Sequence, residues 1–301
     1  MELVVSKKIL ISGATGLVGT ALIERLSGLG YECFSLVRRE PKNSFEIAWN
    51  PNEGIMGKLP QGVGAVVNLA GENIAGGLWS IERKNRLWNS RVNSTALLVK
   101  TCLAQDVPPA VFISASGSGI YKDYGDQEIK EDGLVGDGFL AHLASAWEGE
   151  AHKGEPHMRV VLLRIGMVIT KKGGALAKML TPFKFGLGGT LGSGKQYMSW
   201  IHLEDLVSVI QFCIENQKIV GPVNAVAPRP VTNKEFTKAL GGVLHRPTIL
   251  PAPALALKLI LGGLARELLL MSQRVVPNKL LAAGFRFRYE NIESAFKAEI
   301  N

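Results

Sequence analysis

Lys7-Lys8-Ile9-Leu10-Ile11-Ser12-Gly13-Ala14-Thr15-Gly16-Leu17-Val18-Gly19 decides the fold. Ile9, Leu10 and Ile11 form an apolar run with the length of a buried strand. Gly13, Gly16 and Gly19 follow at a spacing of three, and the stretch from Thr20 to Leu26 repeats its apolar residues at helical intervals. Strand, glycine turn and helix make the first half of a βαβ unit. The glycines serve a sharp turn, a close backbone approach to a pyrophosphate, and tight packing of helix on strand. The start of the helix directs free N–H groups and the positive end of its dipole at those phosphates. Gly13, Ala14, Thr15, Gly16, Leu17, Val18 and Gly19 are therefore the expected dinucleotide-binding residues, with a purely structural turn as the competing reading.

The second strand, Glu32-Cys33-Phe34-Ser35-Leu36-Val37, ends at Arg38-Arg39. That point, about 20 residues past the glycines, separates the two nicotinamide dinucleotides. A carboxylate there binds the ribose 2′-hydroxyl, whereas an arginine accommodates a 2′-phosphate. The acid is missing and Arg38 is the first residue past the apolar run, so NADP(H) is the expected cofactor, with Arg38 and Arg39 at its phosphate. A solvated basic pair is the alternative.

Further strand signals lie at 45–49, 65–70, 110–115 and 159–164, alternating with helical stretches at 79–105, broken near Asn89-Ser90, and at 139–152. Such alternation predicts an α/β protein with a doubly wound parallel sheet covered on both faces. Ligands of such sheets sit at the carboxyl ends of the strands. Gly71 there could let backbone approach the cofactor, and Leu69, Ala70 and Ser114 are counted with it as expected cofactor residues. Glu72 is the first titratable group beyond Gly71 and is either catalytic or a loop anchor. The run Ser116-Gly117-Ser118-Gly119-Ile120-Tyr121-Lys122 brings hydroxyls to the same edge, and 123–138 reads as a loop.

The pattern changes after Thr170. Residues 1–170 read as the cofactor domain, with 200–227 returning to it, while 171–199 and 228–301 form a smaller, mostly helical substrate-side region. Gly186, Gly188, Gly189, Gly192 and Gly194 mark a long loop of the kind used as a lid or binding loop. His202 is read as a cap or loop anchor rather than a catalyst. Thr232-Asn233-Lys234-Glu235 is a capping box that opens a helix to Leu244. The most apolar stretch, 254–265, is too short to span a bilayer and carries Lys258. It reads as a buried or substrate-side helix within 254–270, with an interfacial helix as the alternative. Residues 284–289 alternate like a half-exposed strand, and a last helix starts at Asn291.

With 301 residues, 47% hydrophobic and 20% charged, the chain has an ordinary globular composition. Cys33, Cys102 and Cys213 lie far apart, which suggests neither a metal site nor a disulfide framework and suits a reducing, cytoplasmic setting. Met1 to Ser6 is too short and acidic for a signal peptide. The net charge of +8 comes without a basic tract longer than two residues. A phosphorylated cofactor explains it, and neither nucleic acid nor a membrane is an expected partner. The oligomeric state is left open, with a homodimer as one form.

Taken together, several stretches resemble the extended and atypical short-chain dehydrogenases/reductases. They are Gly13-Ala14-Thr15-Gly16-Leu17-Val18-Gly19, Asn68-Leu69-Ala70-Gly71 and Trp200-Ile201-His202-Leu203-Glu204-Asp205. Leu69-Ala70-Gly71-Glu72-Asn73-Ile74, Ser90-Arg91-Val92, Trp147-Glu148, Gly192-Ser193-Gly194 and Gly284-Phe285-Arg286-Phe287 are similar to one atypical subgroup, the epimerase family proteins with a C-terminal domain of unknown function. The resemblance implies a Rossmann-type NADP(H)-binding protein acting on an unknown small molecule. Ser114 and Arg164 are counted with the cofactor residues, and Phe183, Tyr197, Trp200 and Arg274 with the pocket lining.

The wider family uses Tyr-x-x-x-Lys for proton transfer. No tyrosine here has lysine four residues on, and aligning Glu148 puts Leu140 and Ala144 at the two positions. Ser116 matches the family's serine, Arg91 replaces its usual asparagine, and Tyr121 and Glu72 are candidate proton donors. Two classes of function follow. One is an NADP(H)-dependent oxidoreductase or epimerase-like enzyme with a rearranged proton relay. The other is a non-catalytic NADP(H)-binding redox sensor or structural subunit.

Overall fold

The computed structural model describes residues 6–300; the leader reading falls mainly on residues 1–5, outside the described residues. The strands are β1 (Lys8–Ser12), β2 (Glu32–Val37), β3 (Glu46–Asn50), β4 (Ile55–Met56), β5 (Ala65–Asn68), β6 (Val111–Gly117), β7 (Glu128–Ile129), β8 (Arg159–Ile165), β9 (Met167–Ile169), β10 (Tyr197–Met198), β11 (Trp200–His202), β12 (Gly221–Ala225), β13 (Val231–Thr232) and β14 (Arg274–Val275). The helices are α1 (Leu17–Gly28), α2 (Ile81–Asn89), α3 (Val92–Leu103), α4 (Phe139–His152), α5 (Gly174–Lys184), α6 (Leu203–Glu215), α7 (Asn233–Leu244), α8 (Ala254–Leu261), α9 (Asn278–Ala282) and α10 (Ile292–Ile300).

Eight strands form one sheet in the order β12-β8-β6-β5-β1-β2-β3-β4, and all are parallel except the edge strand β4. The chain moves outward from β1 through β2 and β3, then returns and moves the other way through β5, β6, β8 and β12. The reversal between β1 and β5 is where a sheet of this kind opens a crevice for a ligand. The apolar run of β1 explains its central place. Ile9 and Ile11 enter one core with Leu22 and Leu26 of α1 and Leu206 and Ile210 of α6. Leu10 points the other way, against Leu98 and Cys102 of α3 and Phe112 and Leu162 of the sheet. All of these are fully buried, and truncating Leu10 to alanine is expected to cost about 2–5 kcal/mol. Burial in the two cores pushes the Cys102 and Cys213 thiols up to about 12, so neither is a ready nucleophile.

A third core, built on Leu176, Phe183, Trp200, Phe236 and Phe296, joins α5, α7 and α10. The predicted capping box is present: Glu235 N–H donates to Thr232 Oγ1, and Thr232 N–H to the Glu235 carboxylate. Three expectations change. Residues 123–138 are not all loop, since β7 pairs with β14. The 254–270 helix stops at Leu261, because Gly262 takes a left-handed φ of 57°, and restarts as a π-helical turn at Ala265–Leu269. Residues 284–289 form no strand. Phe285, Phe287 and Tyr289 are buried as the alternation implies. However, the N–H groups of Arg288 and Tyr289 donate to the Asp205 carboxylate at 2.8 and 2.9 Å, not to a neighbouring strand.

Candidate functional site

The glycine turn makes two close approaches that need glycine. Gly13 has φ 67°, and a Cβ there would lie 2.6 Å from the Leu69 carbonyl oxygen, so the loop presses onto the end of β5. A Cβ on Gly19 would lie 2.3 Å from the Gly13 carbonyl oxygen, so α1 presses onto the loop. Gly16 caps α1 with extended backbone and without a side-chain hydrogen bond, leaving the first helical N–H groups for an anion or water. Behind the loop, Ser12 Oγ donates to Asn68 Oδ1 at 2.6 Å and accepts from Ala70 N–H at 3.1 Å. Asn68 Nδ2 reaches Thr95 Oγ1 at 2.7 Å and Ser114 Oγ at 3.3 Å. Ser114 is thus fully buried and braces the strand ends from within. This brace was missed in the sequence, where its only mark is a polar residue closing each apolar strand.

The two arginines after β2 differ. Arg39 grips Glu46 through both guanidinium Nη atoms, at 2.6 and 2.8 Å. The Glu46 carboxyl is held down at about 2, first by that pair and then by Lys42 N–H. Arg38 is exposed and no hydrogen bond or ion pair engages it among the described residues.

At the other end of the edge, Ser116, Tyr121 and Arg164 come together, but in the interior. Arg164 donates from Nε and Nη2 to the two Glu148 oxygens at 2.9 and 2.8 Å, and from Nη1 to Tyr121 Oη and Glu131 O at 2.9 Å. Ser116 Oγ donates to Glu148 Oε1 at 2.7 Å, and Tyr121 Oη to Asn224 Oδ1 at 2.6 Å. Burial pushes the Tyr121 hydroxyl up to about 12 against the lowering pull of Arg164. Burial alone would lower the Arg164 guanidinium, but Glu148 and Tyr121 hold it above its ordinary value. Leu140 is buried against Gly119, and Ala144 is buried beside Ile120 and Tyr121 in the same small core. Glu267 of the π-helical turn accepts from Phe139 and Leu140 N–H at 3.1 and 2.8 Å, supplying the cap that Gly138 lacks.

Glu72 lies apart from that network, paired with Arg83 and 3.5 Å from Arg86 Nε. Arg91 is buried under Gly71 and stacks on Trp147, donating to the carbonyls of Leu87 at 3.1 Å and Glu72 at 2.8 Å. Burial brings its guanidinium down to about 10, opposed by the Glu72 charge. His202 caps α6: its Nδ1 accepts from Glu204 N–H at 3.2 Å, and its Nε2 lies 3.0 Å from Glu299 Oε1. Trp200 is fully buried and Phe183 nearly so, both inside the third core, so neither is placed as an open pocket wall. Arg274 stacks on Tyr197 and lies 3.4 Å from Glu128.

A doubly wound sheet with a glycine cradle at its reversal defines the Rossmann class of dinucleotide-binding folds. A model of the NAD dependent epimerase/dehydratase family matches residues 9–225, and one of a domain of unknown function, DUF1731, matches 252–299. The chain belongs to the NAD dependent epimerase/dehydratase family. It is 42% identical over 287 residues to an epimerase family protein of Mycobacterium bovis, covering 95% of each. The crystal structure of human epimerase family protein SDR39U1 with NADPH is similar with a TM-score of 0.90 and 33% identity over 97% of this chain and 98% of that one. A nucleoside-diphosphate sugar epimerase from Corynebacterium glutamicum gives a TM-score of 0.81 and 32% identity, over 97% of this chain and 58% of that one.

Proposed function

We propose that this chain binds NADPH across the reversal between β1 and β5 and acts as an NADP(H)-dependent oxidoreductase or epimerase-like protein on a small molecule. The observation that carries the reading is the pairing of a tight glycine turn without a side-chain cap with an exposed arginine, Arg38, that no hydrogen bond or ion pair engages among the described residues. The relative with bound NADPH supports the choice of cofactor. In this reading the N–H groups at the start of α1 hold the diphosphate and Arg38 holds the 2′-phosphate. Leu69, Ala70 and Gly71 flank the dinucleotide, and Arg39 orients the strand end through Glu46. Residues up to 170, with 200–227, hold the cofactor; 171–199 and 228–301 face the substrate.

The nicotinamide supplies or takes a hydride when bound. Reduction of a carbonyl also needs a proton near the oxygen, and Leu140 and Ala144 carry none. Ser116, at the position of the family's serine, would orient the oxygen, its hydroxyl donating to Glu148; of the candidate proton donors, Tyr121 donates to Asn224 and Glu72 pairs with Arg83. That engagement favours a second reading, an NADP(H)-binding protein without turnover. Mixing the protein with NADPH and a panel of carbonyl compounds and sugar nucleotides, and following cofactor absorbance, separates the two. Consumption abolished by Ser116→Ala with NADPH affinity kept supports the enzyme. Tight binding without consumption across the panel supports the second reading, and absence of binding removes both.

A further inference from the structure

The substrate-side region carries an apolar ridge that the cofactor reading does not use. Residues 184–192 and 246–254 run side by side. Arg246 Nε donates to the Lys184 carbonyl at 2.8 Å, Ala252 N–H to Thr190 O at 2.9 Å, and Gly192 N–H to Ala252 O at 2.9 Å. Helix α8 leaves this seam through Pro253 and buries none of its residues. Phe185 is 77% exposed, Ile249 76%, Leu255 70%, Leu259 78% and Ile260 68%. Isolated exposed leucines are ordinary, but a laced series of them on one region marks an interaction surface.

Charge identifies the occupant. No acidic residue occurs from Pro156 to Leu203, or from Phe236 to Arg266. Lys184, Arg246, Lys258 and Arg266 are exposed on these segments. The next acid, Glu267, is engaged by the N-terminal N–H groups of α4. A symmetric pairing of two copies would bring two of these acid-poor cationic patches together with no carboxylates from these segments to offset them, because a twofold interface uses the same patch on both sides. An anionic lipid surface satisfies both features at once: apolar side chains enter the headgroup–acyl boundary while lysine and arginine meet lipid phosphates. No helix among the described residues is long and apolar enough to cross a membrane, so the contact lies along the surface.

We propose that the ridge of Phe185, Ile249, Leu255, Leu259 and Ile260, flanked by Lys184, Arg246, Lys258 and Arg266, seats the substrate-side region on an anionic membrane surface. The test is flotation of the full chain, loaded with NADPH, with vesicles of phosphatidylcholine alone or mixed with phosphatidylglycerol. Expected is partition onto the phosphatidylglycerol vesicles at least about tenfold stronger than onto phosphatidylcholine, weakened by high salt. Leu259→Glu combined with Ile260→Glu abolishes flotation and leaves NADPH affinity and lipid-free mass unchanged. Lys258→Glu weakens it about tenfold, while Lys258→Arg keeps it. Equal partition onto both vesicles, flotation that survives the double substitution, or a lipid-free dimer that the double substitution splits would overturn the proposal.

Discussion

Two corners of the same sheet edge treat their polar groups in opposite ways. At β1, β2 and α1 the backbone is squeezed to fit, as at Gly13 and Gly19, yet the helix start has no side-chain cap and Arg38 has no partner among the described residues. At β6, α4 and β8 every nominated group is bonded inward: Ser116 and Arg164 to Glu148, Tyr121 to Asn224. Groups with unmet bonding capacity are poised for a ligand. Groups with all their bonds made internally hold the fold, because a buried polar side chain is tolerable only when paired. The first corner keeps bonding capacity that a ligand could use, and the second satisfies its polar groups inside the fold.

The sharpest way to break this contrast is Glu148→Leu. It strands the Arg164 guanidinium, and removing one partner of a buried pair costs about 3–5 kcal/mol. Urea unfolding should show that loss, most of it restored when Arg164→Met is added. A small effect would mean that solvent reaches the corner. Next is Gly19→Val, whose Cβ would sit 2.3 Å from the Gly13 carbonyl oxygen. NADPH binding should fall below detection by calorimetry while far-UV circular dichroism shows the fold retained.

A smaller effect separates the arginines. Arg38→Ala should weaken NADPH about tenfold or more, the loss of one charge-assisted hydrogen bond, and leave NADH unchanged. Arg39→Ala should change both only slightly, since its guanidinium is held by Glu46. Smallest is the pH response of His202, whose pKa burial lowers below the ordinary 6.5 against the raising pull of Glu299, Glu204 and Asp205. The unfolded chain then binds this proton more readily than the folded one. Stability is intact above about pH 6.5 and declines as pH falls below it. Melting temperatures of His202→Asn should be flatter over that window.

How much was legible follows from how local each cause is. The glycine loop, the capping box at Thr232 and the cap role of His202 rest on residues adjacent in sequence, and all stand in the structure. The apolar alternation of Phe285, Phe287 and Tyr289 correctly marked which side chains go inward. It could not show that Asp205, some eighty positions earlier, takes the N–H groups a strand would need. Likewise Arg38 and Arg39 are equivalent in sequence, and only the neighbouring strand's Glu46 tells them apart. Of the readings open for 254–270, buried or substrate-side with an interfacial helix as the alternative, the buried one fails at α8, which buries none of its residues, because hydrophobicity alone does not say what covers a helix.

The decisive measurement is titration of NADPH and NADH into the wild-type chain and into Arg38→Ala by calorimetry. Expected is NADPH binding tighter than NADH in the wild type, with the preference erased by the substitution and NADH affinity unmoved. Equal affinities in the wild type, or a substitution that weakens both cofactors alike, would contradict the placement of a 2′-phosphate at Arg38.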